Sequence, residues 1–190
     1  MKIRVYIGVI GSGKDYLASK ECDTVVNFAD ALRSDIWRMV GWEPKTPEEY
    51  EIFKKLEFRG NALDLKGHNI SFTGRDLLQR YGTDIRRAED PDYWINRLLH
   101  MLGLYRDNIL RKDFTVGISD CKFENEALAL IQFSSAWNIP LTFVHTTYES
   151  DKYFPYSDHE SEKFAQQFLK FKGTEEEFDK YVKELVWERR

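Results

Sequence analysis

The sequence predicts an α/β fold, a parallel sheet flanked by helices with a helical subdomain inserted into it. Three observations predict this. Short apolar runs alternate with stretches of helical pattern, and the runs are continuous rather than apolar/polar alternations, as in strands covered on both faces. The first run ends in a glycine-rich turn that leads straight into a helical stretch. Residues 43–110 hold two or three helices without a convincing strand, which marks them as an insertion.

The elements follow in order. "KIRVYIG" (2–8) is β-rich and ends in Gly, and "GKDYLASKE" (13–21) suits the helix after it. "TVVNFA" (24–29) reads as a second strand, followed by a helix over 30–41 opened by Asp30 and closed by Gly41. A helix over 46–60 has Thr46 as N-cap and Pro47 at its first position. "TGRDLLQRYG" (73–82) is a short helix and 90–110 a long one. "FTVGISD" (114–120) is the third strand and ends in an acid. A helix (122–137), a strand (139–146), a helix (157–167), a short final strand "FLKF" (168–171) and a last helix (174–188) complete the chain.

The 190 residues fit one domain, 42% of them hydrophobic and 15% aromatic, which excludes a disordered chain. A net charge of −4 argues against a dedicated nucleic-acid binder. Cys22 and Cys121 have neither disulfide nor zinc spacing. With no apolar stretch near the ~20 residues of a membrane span, the sequence reads as a soluble, cytoplasmic protein.

"GVIGSGKDY" (8–16) carries the chemistry. Gly8, Gly13 and Lys14 match the phosphate-binding pattern of Gly, four residues, then Gly-Lys, but Asp15 stands where a Ser or Thr is expected. Glycines let backbone N–H groups converge on an anion at a helix N-terminus. Gly11, Ser12, Gly13, Lys14 and Asp15 are therefore the candidate ATP-binding residues, with Lys14 on the outer phosphates. Asp15 can replace the missing hydroxyl as an oxygen ligand of Mg²⁺, or orient a nucleophile. It also suits the positive end of a helix dipole without any catalytic task.

Read with "FADALR", "TGRDLLQRYGTDIRR", "DPDYW", "SDCKFENEA" and "DHESE", the loop resembles the phage-type deoxynucleoside monophosphate kinases. The segments occur in that family's order from residue 3 to about 185, and its own loop carries Gly-Lys-Asp. The resemblance implies a P-loop NTPase-type sheet and transfer of phosphate from ATP to a deoxynucleoside 5′-monophosphate with Mg²⁺. The helical insertion (43–110) would bind the acceptor, and a phage-encoded chain would work in the host cytoplasm. Members are often homodimers, and no segment here identifies an interface.

Such a kinase needs a second anion site, for which the guanidinium fork is suited. By resemblance Arg33 and Arg75 are ligands of the acceptor phosphate, and Arg87 a further phosphate or transition-state contact. Gln79 lies one turn past Arg75 and suits a base edge, with Gly82 and Thr83 supplying close backbone approach and a hydroxyl. Trp94 either stacks on the base or packs behind it. Asp120, at the carboxyl end of the third strand, is placed to hold Mg²⁺ or position the attacking oxygen. Lys122 stands where the family has Arg, and Glu126 follows as a buttress or an exposed helix acid.

His159, Ser161 and Glu162 are too close in sequence for a hydrolytic triad, whose members converge from separate elements, and resemble a family segment near the flap. Tyr16 replaces a Thr, and residues 145–158 contain Lys152 but no arginine. Two rival readings stand beside the kinase. One is a kinase of the same lineage acting on a modified-base nucleotide or a base in DNA. The other is a nucleotide-binding protein that has lost catalysis.

Overall fold

The computed structural model describes residues 1–9, 11–59, 71–109, 113–147 and 160–189. The side chains of residues 57–59, 71–72 and 160–161 lie outside the description. The chain divides into two compact units, one made of 1–27 with 98–190 and the other of 28–97. Among the described residues no helix is long and apolar enough to cross a membrane.

The first unit is α/β. Its four strands, β1 (Lys2–Ile7), β2 (Thr24–Val25), β5 (Thr115–Ile118) and β6 (Leu141–His145), form an all-parallel sheet in the order β2-β5-β1-β6. β1 is central, with Ile3 opposite both Val116 and Leu141, so all three carboxyl ends point the same way. Val5, Ile7, Val116, Ile118 and Phe143 are buried, as continuous apolar runs require. Helix α1 (Lys14–Glu21) covers one face, where Ala18 packs on Tyr6 and Val144. Tyr6 has no exposure; its hydroxyl donates to Glu21 at 2.9 Å and accepts from Arg4 Nε at 3.3 Å.

Helices α6 (Glu124–Trp137) and α8 (Glu175–Glu188) pack on β6 and on each other, and α7 (Glu160–Gln166) lies between them in sequence. α8 buries Phe178, Val182 and Val186, spaced one turn apart. Its polar side closes the sheet edge. Asp179 Oδ1 accepts from the Phe143 N–H at 2.8 Å, Lys183 Nζ donates to the Leu141 carbonyl at 2.8 Å, and the two side chains pair at 2.8 Å. A lysine and an aspartate thus occupy backbone groups that would otherwise recruit another strand.

That closure explains why 168–171 is not the strand expected from sequence. The edge it would join is taken by α8. The segment is instead a turn whose Phe168 and Phe171 rings sit 5.2 and 5.1 Å from Phe178. The second strand is also shorter than expected, because helix α2 (Phe28–Val40) already begins three residues past Val25. The side chains beside β2 extend its pairing: Asp23 Oδ2 accepts from Thr115 N–H at 2.8 Å and Asn27 Oδ1 from Ser119 N–H at 2.9 Å.

The second unit holds α2 (Phe28–Val40), α3 (Pro47–Lys55), β3 (Glu57–Arg59), β4 (Ser71–Thr73), α4 (Gly74–Gln79) and a π-helical segment, Arg80–Arg87. α5 (Tyr93–Asn108) starts here and continues into the first unit. Ile36, Phe53 and Leu77 form its core, ringed by Leu32, Trp37, Trp42, Tyr50 and Tyr81. Thr46 and Thr73 cap α3 and α4, accepting from Glu49 N–H and Asp76 N–H at 3.1 Å each. The antiparallel pair β3-β4 corrects the expectation that 43–110 lacks strands. Three residues per strand are too few to register as an apolar run. The helix expected over 73–82 also changes at Gln79 to the wider π winding.

Two outcomes follow from these contacts. Lys183→Ala should cost about 1–2 kcal/mol, read by thermal or urea melting, and raise aggregation on heating; an unchanged melt would remove the edge-closing role. His145 lies between Phe178 (4.7 Å) and Phe171 (5.7 Å), and burial lowers its pKa below 6.5. The unfolded chain therefore takes this proton first, so stability falls as pH drops below about 6.5. His145→Phe should flatten that acid limb in melts run from neutral to mildly acidic pH; an identical limb would clear His145.

Candidate functional site

The turn after β1 has the geometry its glycines suggest. Gly11 and Gly13 hold φ of 78° and 82°, a region that side chains disfavour, and Gly13 is the residue on which α1 starts. Gly8 is needed for space. A Cβ there would sit 2.3 Å from Thr146 Oγ1, 2.4 Å from the Thr146 carbonyl and 2.5 Å from Ser12 Oγ.

Those neighbours form a chain of hydrogen bonds. Lys14 Nζ donates to the carbonyls of Gly8 and Val9 at 2.7 Å each and reaches Ser12 Oγ at 3.4 Å. Ser12 and Thr146 hydroxyls are 2.9 Å apart, and Thr146 Oγ1 donates to the Ile7 carbonyl at 3.2 Å. Each hydroxyl has one proton, so the direction runs from Lys14 through Ser12 and Thr146 to the end of β1. Both hydroxyl residues are buried.

Four charged groups of the same unit act on the amine. Burial lowers the Lys14 pKa; Glu162 opposes that most, Lys122 adds to it, and Asp15 and Asp120 oppose it in turn. Glu162, 8% exposed on α7, lies 3.6 Å from Lys122 Nζ. Asp15 is exposed, but its Oδ1 accepts a 2.5 Å hydrogen bond from Ser119, the residue after β5. The loop lysine, its aspartate and Asp120, two residues past β5, therefore gather at the carboxyl ends of β1 and β5, where open α/β sheets bind ligands.

The remaining expected residues of this unit divide. Lys122 is within the charged group, paired to Glu162. Glu126 is 2% exposed, and its Oε2 accepts from the backbone N–H groups of Lys122 and Phe123 at 2.7 and 3.1 Å. It braces the 120–123 turn and is not an exposed helix acid. Tyr16 points to solvent, 68% exposed, with Lys20 Nζ over its ring.

The second unit holds the expected acceptor residues. Arg33 donates to Asp30 at 2.8 Å and lies over the Tyr50 ring at 5.5 Å. Arg75 and Gln79 are both exposed and one turn apart on α4. Gly82 and Thr83, with half-buried Arg87, lie in the π-helical segment, a winding frequent at functional sites. Trp94 is 3% exposed, and its indole N–H donates to the Gly82 carbonyl at 2.9 Å. Tyr93 packs edge-on to it at 4.7 Å. Of its two expected roles, packing behind matches this burial; a stacked base would need a free ring face.

Sequence reasoning missed Ser119, Asn27 and Thr146. Ser119 stands beside the acid already singled out, and its position at a strand's carboxyl end was the one available signal. His159, Lys152 and the Ser161 side chain lie outside the described residues. The chain matches no protein-family model and no curated protein.

Gly8→Ala should lower stability by about 1–3 kcal/mol, since backbone and two hydroxyls must all shift. Thermal or urea melting checks this, and wild-type stability would show that the 2.3 Å approach is not obligatory.

Proposed function

We propose that this chain is an ATP-dependent kinase of deoxynucleoside 5′-monophosphates, with a P-loop-type sheet as its donor-binding unit. The observation that carries the reading is the Lys14 amine. It is held by its own loop carbonyls between the first strand and first helix of a parallel sheet, with acids grouped about it. The resemblance of the loop and the later segments to the phage-type family supplies the substrate class.

The donor residues are Gly11, Ser12, Gly13 and Lys14. Positive-φ glycines and the start of α1 offer N–H groups to phosphate oxygens, and Lys14 exchanges its carbonyl partners for the outer phosphates. Acceptor contacts are assigned to Arg33, Arg75, Gln79, Gly82, Thr83 and Arg87 of the 28–97 unit. Two guanidinium groups suit a phosphate dianion, and the Gln79 amide both donates and accepts on a base edge.

Mg²⁺ fits the donor set. The ion takes one or two carboxylates and completes its shell with substrate phosphates and water. Asp15 and Asp120 would hold it, and it would neutralise charge between the phosphates. The acceptor is already an oxyanion near neutral pH, so no general base is required. Catalysis is positioning and charge stabilisation by Lys14 and the arginines.

ADP release measured with Mg·ATP and each common dNMP, the matching NMPs and hydroxymethyl-dUMP tests this. Release should depend on one or more dNMPs and fall about 10²–10³-fold in Lys14→Ala. Arg75→Ala should raise KM for the dNMP far more than for ATP. Release with hydroxymethyl-dUMP alone would move the assignment to a modified-base nucleotide. ATP binding without release across the panel would favour a binding protein, a reading to which the engagement of Lys122 by Glu162 lends support. A chain that binds no nucleotide would overturn both.

A further inference from the structure

Asp15 displaces the hydroxyl that phosphate loops present after their lysine, and a hydroxyl returns from another element. Ser119 directly follows β5, is 1% exposed, and donates from Oγ to Asp15 Oδ1 at 2.5 Å. Its Oγ also lies 3.2 Å from Asn27 Oδ1, which accepts the Ser119 backbone N–H at 2.9 Å. The hydroxyl has one proton, and the shorter contact to a charged acceptor claims it for Asp15. Asn27 then fixes the serine backbone, so an exposed acid is tied to a buried hydroxyl seated on the sheet.

We propose that Ser119 is the positioning residue of the loop carboxylate, anchoring Asp15 Oδ1 so that Oδ2 is the oxygen offered to the divalent cation of a bound nucleotide. Hydroxyl and carboxylate have thereby traded places between loop and strand end, relative to a loop that carries Ser or Thr beside a strand-end acid. The inference rests on the nucleotide reading above. Its physical basis is restraint. Asp15 already attracts the Lys14 ammonium. A carboxylate not held elsewhere would have no fixed oxygen to offer, and the cation would have to order it on binding, a cost that falls on the metal's affinity. Groups that orient a metal ligand typically change metal affinity by about 10–100-fold when removed.

The test titrates a fluorescent ATP analogue into the full chain with and without Mg²⁺ and records a melting curve for every variant. Wild type should gain affinity with Mg²⁺. Ser119→Ala should lose about 10-fold of that gain with its metal-free affinity unchanged. Ser119→Thr, which keeps the hydroxyl, should retain it. If Ser119→Ala does not fold, Ser119→Cys, a weaker donor of similar size, carries the same expectation. A full Mg²⁺ gain in Ser119→Ala, or an equal loss with and without metal, would overturn the positioning role and leave the nucleotide reading standing. A wild-type chain that binds no nucleotide would overturn the reading and this inference together.

Discussion

The Lys14 amine is the group around which the loop of the first unit is arranged, because an ammonium drawn out of water has to be repaid on the spot. The repayment is local and specific. Two loop carbonyls accept hydrogen bonds from it at 2.7 Å each, and acids from the loop, the turn after β5 and α7 oppose the cost of burial. Each depends on a different part of the chain being in register. The carbonyls need the loop's conformation, which needs Gly13 at φ 82°. Asp120 needs β5 beside β1, and Glu162 needs α7 to return to the sheet. A slip in any of these leaves the amine undercompensated, so the charge acts as a check on the fold that positions it.

The loop is not free to adapt on its own. Thr146, just past β6, bonds to Ser12 and to the Ile7 carbonyl, tying adjacent parallel strands to the turn between β1 and α1. Gly8 allows that approach by having no side chain. At the far edge, Asp179 and Lys183 hold β6 in place through its own backbone groups. Direct hydrogen bonds thus connect the edge of the sheet through β6 to the loop.

What the sequence disclosed follows the range of the interactions. Gly8, Gly13 and Lys14 are legible because a loop's conformation is written in its own residues. Asp120 is legible because a β-branched run ending in an acid is a local pattern. Ser119 and Thr146 are not, since a small hydroxyl at the end of an apolar run carries no signal until its partner is known. Those partners lie 104 and 134 residues away. The same limit explains "FLKF": its composition is that of a strand, and only the occupied edge of β6 makes it a turn. β3 and β4 escaped notice for a different reason, being too short for a period to show. Trp94 was legible as an aromatic in a helix, but its direction was not.

The charge of this loop's surroundings differs in sign from what a polyanion site would be expected to have. Among the described residues, the Lys14 amine itself and Lys122 are the cations of this group, and Asp15, Asp120 and Glu162 are the acids, so the group is net negative. Glu162 also occupies Lys122. Backbone N–H groups and the helix end contribute only partial charge, roughly half a unit at a helix N-terminus. A bare nucleotide would therefore meet repulsion from acids in a partly desolvated place, where such terms are weakly screened. A ligand that arrives with its own divalent cation reverses the balance, because the same acids then become attractive. On the nucleotide reading, the aspartate in the loop is thus coherent with a site that discriminates metal-bound from metal-free phosphate, and Ser119 is the group proposed to hold that acid toward the cation.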